Sequence, residues 1–424
     1  MFTFDEMPLP TLGLSGLDGN MSEEEKAIQE NVHRFAADVM RPIAERLDKM
    51  TAEEVIADGS PLYEYYDKVR QAGLMDLDAM TALSNEEKGR LLPLIFEGLA
   101  WGDCGLMLGS MVTSFPAYAA RLTGDAALIE QFGDRPGCWL ATQPDRGSDL
   151  VDIDGQIGHN GQKQNQPNLQ ARIEGDEVVV TGQSSAWVSA APIAKTALAF
   201  LPCDYGEGLF KSDGTVNHIS LLIDFEHPSV TKGKPLEKMG MRSLPQGEVF
   251  FDELRVPMRN VLAQRDEAAG SFMGALTFAN MEMGFSFTGV ARAAYEHALE
   301  YVHERRQGST ELINHQSVRL RLFEIWQKVE ACRAMSRRVA MYNFSDHGPH
   351  LLASITSKTF VTKTGYEAVS EALQLFGGNG VTQEYPMEKL LRDARASLIA
   401  DGENNVLNLK GASWLSESYK SQNS

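Results

Sequence analysis

Apolar residues recur every three or four positions in the first stretch of the chain. In "MSEEEKAIQENVHRFAADVM", Ile28, Val32, Phe35 and Val39 stand at helical spacing behind Ser22 and Glu25, the two halves of a capping box. "PLYEYYDKVRQAGLM" and "NEEKGRLLPLIFEGLAW" continue the period, divided by Gly and Pro breaks. From about 136 to 257 the texture changes to "DEVVVTG", "KTALAFLPC", "HISLLIDF" and "GEVFFDELRVP", short runs bounded by Gly, Pro and Asp that predict strands. No helical stretch divides them, so an antiparallel sheet or small barrel is expected rather than a parallel α/β sheet. "DGQIGHNGQKQNQPNLQ" (154–170) reads as an inserted polar loop. After Pro257 the helical period returns, and Val361, Gly365, Ala368, Ala372 and Leu375 share one face. The fold class is α+β: an N-terminal helical domain over 1–135, a central β domain over 136–257 and a C-terminal helical bundle over 258–424.

Composition narrows the partners more than the fold. At 424 residues and 43% hydrophobic the chain can bury a large core. A formal net charge of -19 argues against nucleic acid or an anionic membrane surface, which require basic faces. Cys104, Cys138, Cys203 and Cys332 are far apart, without CxxC or a histidine at ligand spacing, which points to a reducing compartment and no structural metal. The first twenty residues lack the marks of a signal or transit peptide, and nothing approaches a membrane span, so a cytoplasmic location is expected.

GxGxxG after a strand, GxxxxGK[ST], GxSxG and HExxH are all missing, which removes support for Rossmann dehydrogenases, P-loop NTPases, α/β-hydrolases and zincins. Smaller motifs remain. "ATQPDRGSD" (141–149) offers backbone N–H groups and hydroxyls to a ligand, or is simply a turn. "WVS" (187–189) places an indole and a hydroxyl around one strand residue, although an indole serves equally in a core. "ERRQGST…NHQ" (304–316) gathers arginines suited to a pyrophosphate, or to a solvated helix end. "QLFGGNG" (374–380) ends a helix in glycines that permit close backbone approach, or only a cap. In "LLRDARASLIADGENNVL" (390–407), Asp401 taken alone reads as the N-cap of the following helix.

In combination these segments resemble the acyl-CoA dehydrogenase family from about residue 20 to 415. "TQPDRGSD" is similar to its TEPxxGSD segment, and "GMRSLPQGEVFFDELRVPMRNVL" to its segment ending F-E-D-V-x-V-P-x-x-N-x-L. "RRQ", followed nine residues later by Gln316, matches the spacing from its RxxFG segment to a glutamine. "EALQLFGGNGVTQEYPMEKLLRDAR" resembles its most typical stretch. The resemblance implies the family fold with a C-terminal four-helix bundle, FAD as cofactor and a homo-oligomer, a dimer of dimers. Trp139, Ala141, Thr142, Trp187 and Ser189 would then hold the isoalloxazine edge. Arg305 and Gln316 would meet the ADP half, with Gln374, Gly377 and Gly378 supplied by a neighbouring subunit. Ser148 would touch the CoA part of the substrate.

The implied chemistry is α,β-dehydrogenation of an acyl-CoA thioester, with electrons passed on to an electron-transfer flavoprotein. The family's base, the Glu of a Y-E-G-T segment, falls here on Asp401, with Gly402 beside it and Leu398, Ile399 and Ala400 expected to dry the pocket. Aspartate is one methylene shorter, withdrawing the carboxylate by roughly 1–1.5 Å. Ala400 stands where the family has Tyr, which enlarges the pocket and suggests a bulky, branched or cyclic acyl group. Glu403 replaces the family's Thr and adds a second acid near the flavin or the solvent. Gln143 replaces the Glu of TEP, Gly308 replaces a Phe, and Asn280 stands at the substrate-side Arg position. The alternative base position on that helix is Ala279, which leaves Glu282 as the reserve acid. A flavin oxidase or monooxygenase acting on a non-CoA substrate, similar to nitroalkane oxidase, is the alternative function.

Overall fold

The computed structural model describes residues 14–153, 155, 157, 166–212 and 214–423. Most of the 154–170 segment lies outside the described residues, although its end, from Leu169, already belongs to a strand.

The N-terminal helices are α1 (Glu23–Phe35), α2 (Arg41–Asp48), α3 (Ala52–Ile56), α4 (Pro61–Gln71), α5 (Leu77–Ala82), α6 (Asn85–Gly102), α7 (Cys104–Thr123) and α8 (Ala126–Phe132). The capping box forms as its spacing predicts: Ser22 Oγ accepts from Glu25 N, and Ser22 N donates to the Glu25 carboxylate. The apolar stripe behind it departs from the prediction. Residues Ala36–Met40 form a π-turn, whose extra residue rotates the following side chains. The fully buried series therefore runs Val32, Ala36, Met40, while Phe35 and Val39 are only half-buried.

The strands are β1 (Gly137–Leu140), β2 (Leu169–Glu174), β3 (Glu177–Gln183), β4 (Val188–Ser189), β5 (Thr196–Asp204), β6 (His218–Asp224), β7 (Val230–Lys232), β8 (Gln246–Gly247), β9 (Val249–Pro257) and β10 (Val261–Gln264). Eight of them form one sheet in the order β10-β6-β5-β2-β3-β9-β7, with β1 also pairing β5. The predicted antiparallel sheet is in fact mixed, because β1 and β2 both run parallel to β5. Pro257 ends β9 but not the sheet, since β10 pairs β6 through Val261, Ala263 and Gln264.

The remaining elements are α9 (Arg265–Glu304), a hairpin of β11 (Arg306–Gln307) and β12 (Thr310–Glu311), then α10 (Gln316–Asn343), α11 (Leu351–Phe376), α12 (Met387–Ala396) and α13 (Asn404–Gln422). The predicted stripe on α11 is buried throughout. An added Cβ on Gly365 would sit 3.2 Å from the Phe287 carbonyl oxygen, so its bareness lets α11 lie close against α9. One hydrophobic core runs through both helical halves, from Val32 on α1 through Leu99 on α6 and Phe285 on α9 to Val361 on α11. The strands have their own core around Leu140, Val180, Leu201 and Ile223. A third cluster joins sheet to bundle: Trp139 and Ala141 meet Val151, Phe272, Leu276, Ile355, Val406 and Leu407. The carboxylate singled out in the sequence stands beside this seam.

Candidate active site

Asp401 lies in the short connection between α12 and α13. Lys389 fastens α12 to the N-terminal helices and holds both Asp103 (2.5 Å) and Asp393 (2.6 Å). Arg392 grips Asp48 and Glu388, each at 2.6 Å. The Asp393 carboxylate also accepts the Met241 N–H at 2.5 Å, tying in the segment before β8. The connection thus leaves from a helix anchored on three sides.

The connection itself is tethered at three successive residues by side chains from three elements. Asn280 on α9 donates from Nδ2 to the Asp401 carbonyl oxygen at 3.1 Å. Lys358 on α11 donates from Nζ to the Gly402 carbonyl oxygen at 2.7 Å. Ser148 accepts the Glu403 N–H on its Oγ at 2.9 Å. Backbone held this way resists displacement, which a proton-transfer site requires. Asp401 takes φ +52° and Gly402 φ +101°. Aspartate is one of the few side chains that enter the left-handed region with little penalty.

Several expectations change here. Asp401 is not the N-cap of α13: Glu403 is, its carboxylate accepting the N–H groups of Asn405 (2.8 Å) and Val406 (3.2 Å). The second acid is therefore spent on its own helix, and it stands apart in role from Asp401. Ile399 is 58% exposed and does not dry the site; Leu398 and Ala400 are half-buried. The Ser148 hydroxyl, expected at the CoA part of a substrate, holds the acid's own loop. Asn280, fully buried, serves that loop too, and its Oδ1 has no hydrogen-bond partner.

Electrostatics separate the two acids of the site. Burial raises the Asp401 carboxyl above the usual aspartate range, while the Lys358 ammonium pulls it back down. Glu282 on α9 is buried, Oε1 has no partner, and burial together with the Asp401 charge pushes it well above the ordinary glutamate value. Lys358 is wholly buried and pushed down to about 8, chiefly by burial and against the pull of Asp401 and Glu403.

Of the residues expected around an isoalloxazine, Trp139 and Ala141 share a cluster with Val406 and Leu407, just beyond this loop. Trp139 packs between Phe115 and Phe272, with ring centroids 5.9 and 5.7 Å away. Ala141 is buried beside it. The Thr142 carbonyl accepts the Ser185 N–H at 2.9 Å and the two hydroxyls lie 2.6 Å apart, which joins this strand to the Trp187–Ser189 segment. Trp187 is 64% exposed. Ser189 Oγ accepts from Gln246 Nε2 at 3.0 Å. Gln143, in place of the expected Glu, closes the turn by bonding both backbone groups of Leu169 at 2.9 Å.

The residues assigned to an ADP group lie elsewhere. Arg305 is exposed at the C-terminal end of α9, 25 residues beyond Asn280, or about 37 Å along a helix. Gln374, Gly377 and Gly378 are exposed at the same end, where Tyr301 stacks on Phe376 at 4.0 Å and its hydroxyl accepts from Asn379 at 2.9 Å. The expectation divides these residues between two chains, Arg305 and Gln316 from one and the glycines from another. Both sets occupy one end of one bundle. Gly308 (φ +64°) and Ser309 (φ +71°) make the two-residue turn between β11 and β12, a hairpin that demands positive φ twice. That explains why no Phe stands at 308.

A separate groove of about 640 Å³, lined by Ile28, Phe35, Asp38, Leu74, Met80 and Ile95 among others, touches none of these residues. Among the described residues no cluster of His, Cys, Asp or Glu is arranged to hold a metal, and no helix is long and apolar enough to cross a membrane. All four cysteines are buried free thiols.

Helical segments before and after a mixed sheet, with one tethered acid beside the seam between sheet and bundle, reproduce the fold of a solved butyryl-CoA dehydrogenase. Residues 269–415 match the family described as "Acyl-CoA dehydrogenase, C-terminal domain". Benzylmalonyl-CoA dehydrogenase of Aromatoleum aromaticum is 27% identical over 93% of this chain and 98% of that relative. Cyclohexane-1-carbonyl-CoA dehydrogenase of Geobacter metallireducens is 26% identical over 92% and 97%. The solved butyryl-CoA dehydrogenase of Megasphaera elsdenii superimposes with a TM-score of 0.79, at 23% identity over 94% of this chain and 100% of that one. A nitroalkane oxidase active-site mutant crystallised with 1-nitrooctane shares the fold at TM-score 0.79 and 17% identity, over 93% and 96%. Residues 269–415 thus carry the acyl-CoA dehydrogenase C-terminal domain, and over more than nine-tenths of its length the chain is similar to acyl-CoA dehydrogenases, which are oxidoreductases.

Proposed function

We propose that this enzyme removes the α and β hydrogens of an acyl-CoA thioester, with Asp401 accepting the α proton. The tethered loop carries the reading: three side chains from separate elements fix the peptide groups of 401, 402 and 403 around one carboxylate. A thioester carbonyl acidifies its α C–H, and a carboxylate raised above its ordinary range is the better matched acceptor near neutrality. Ala400 leaves space where the family has an aromatic ring, which suits a bulky, branched or cyclic acyl group. The names of relatives acting on benzylmalonyl-CoA and cyclohexane-1-carbonyl-CoA support that choice.

FAD fits the residues present. Bound there, it supplies the acceptor for the β hydride. Trp139, Ala141, Thr142, Trp187 and Ser189 would hold its ring system, and the exposed Trp187 indole is the observation that favours a flat partner. Arg305, Gln316, Gln374, Gly377 and Gly378 would hold an ADP group belonging to the site of a neighbouring copy, since Arg305 stands about 37 Å from Asn280 along α9 and the glycines lie at that same end. Added Cβ atoms on Gly377 and Gly378 would meet nothing within 4 Å, leaving the backbone open to a pyrophosphate. The site is thus completed by an oligomer, and an electron-transfer flavoprotein takes the electrons.

Anaerobic mixing of the FAD-loaded enzyme with a panel of acyl-CoAs tests the reading. Flavin bleaching by cyclic or branched acyl-CoAs is the expected result. Faster bleaching by straight-chain acyl-CoAs overturns the acyl preference, and bleaching by none overturns the reaction. The second reading, an oxidase on a non-CoA substrate, is favoured by the aspartate at 401 and the shared fold with nitroalkane oxidase. Peroxide formed in air from a nitroalkane, without CoA, would identify it.

A further inference from the structure

We propose that Lys358 is a positioning residue that makes Asp401, and not Glu282, the proton acceptor of the site. It fixes the loop and supplies the only positive charge placed against that loop among the described interactions. The inference rests on the dehydrogenase reading above and adds a division of labour between two acids.

The geometry is specific. Lys358 has no exposed surface, and its ammonium donates to the Gly402 carbonyl oxygen and to Asn404 Oδ1, both at 2.7 Å. Asn404 is held in turn by its Nδ2 on Thr362 Oγ1 at 3.0 Å, one turn further along α11. Both acceptors of the ammonium are neutral. A neutral donor would hold a carbonyl and an amide equally well, without the desolvation of a full charge. A nearby anion offsets the desolvation of a buried cation, and the acids that act on it are Asp401 and Glu403. Glu403 already has its carboxylate on two backbone N–H groups of α13. Asp401 is left as the group in need of the charge.

Glu282 is the contrast. It is 5% exposed, its Oε1 has no hydrogen-bond partner, and Asp401 is the one charged group that acts on it. Two carboxyls so placed do not both ionise. With the cation on the 401–404 side, Asp401 carries the negative charge and Glu282 keeps its proton. In the reaction the α C–H bond breaks, its electron pair stays on the carbon conjugated with the thioester carbonyl, and the proton forms an O–H bond on Asp401. Glu282, already protonated, is unable to take it.

Two measurements test this. The first is the pH dependence of solvent deuterium incorporation at the α carbon of an acyl-CoA bound to the FAD-loaded enzyme, compared for wild type, Lys358→Met and Lys358→Arg. Lys358→Met should move the rise in exchange to higher pH by about one unit or more, the scale on which an opposite charge shifts a carboxylic acid. Lys358→Arg should restore the wild-type position. An unmoved rise in Lys358→Met, with only a smaller amplitude, would show a structural role and overturn the proposal. The second measurement does not depend on Lys358→Met folding, or on turnover: 13C titration of the carboxyl groups, assigned by Asp401→Asn and Glu282→Gln. Asp401 should be ionised and Glu282 protonated at pH 7; the reverse order overturns the proposal. Failure of every acyl-CoA to exchange, with that order intact, would remove the dehydrogenase reading and leave the assignment of charge standing.

Discussion

Replacing Gly402 with alanine sets stability against catalysis at one atom. Gly402 has φ +101°, and a Cβ built there would lie 2.9 Å from Leu407 Cδ2, 3.1 Å from Leu407 Cγ and 3.2 Å from Val151 Cγ2. Both neighbours are buried, at 0% and 3% exposure, so neither side chain has free space to swing into. An L-residue on the left-handed side of the map costs roughly 1–2 kcal/mol. Crowding a packed neighbour adds about 1–3 kcal/mol. If the loop keeps its place, the variant should lose roughly 2–5 kcal/mol, read from urea unfolding of the FAD-saturated protein. If instead the loop moves to relieve the contact, it breaks the Lys358–Gly402 and Ser148–Glu403 bonds. A displacement of about 1 Å at a proton-transfer site costs on the order of a hundredfold in rate. Anaerobic single-turnover flavin reduction reads that loss. Wild-type stability together with a wild-type reduction rate would refute the claim that the connection is held in one conformation.

Asp401→Asn should leave flavin bound and abolish reduction by any acyl-CoA; undiminished reduction would remove Asp401 as the base. Ser148→Ala leaves the Glu403 N–H without its acceptor and should cost about 1–3 kcal/mol in urea unfolding while slowing reduction. Glu282→Met replaces a buried carboxyl whose Oε1 has no partner with an apolar side chain, so its unfolding midpoint should be unchanged or higher; a fall would mean that Glu282 has a stabilising partner. Lys238 donates to the Met241 and Leu244 carbonyl oxygens and to Gln246, and burial lowers it from 10.5 to about 8. Between pH 8 and 10.5 the unfolded chain holds a proton that the folded one has released, so this group's contribution makes stability rise with pH across that window. Thermal melts at pH 7.5 and 10 should show that increment in wild type and not in Lys238→Met.

What could be read in the sequence was whatever short-range chemistry decides. Ser22 and Glu25 cap α1 because both partners sit within one turn. The runs "DEVVVTG" and "HISLLIDF" form β3 and β6, as their short length, Val and Ile content and flanking Gly and Asp favour strands. Val361 to Leu375 are buried together because a helix puts them on one face whatever it packs against. The position of Asp401 was legible too, through its spacing from "LLRDAR". Its partners were not. Asn280, Lys358 and Ser148 lie 121, 44 and 255 residues from the backbone groups they hold, and no local pattern encodes such distances. A lysine on α11 reads as one more polar residue until packing buries it. Nothing in the spelling of "ADGENN" says that Glu403 takes the cap and frees the aspartate. The π-turn at Ala36–Met40 and the gathering of Arg305 with Gly377 at one bundle end are likewise products of packing. Periodicity and capping, set within a few residues, determined the elements, and the resemblance to a family motif marked the acid. Which side chains hold that acid's loop was decided only when distant elements met, because those contacts join residues as many as 255 positions apart.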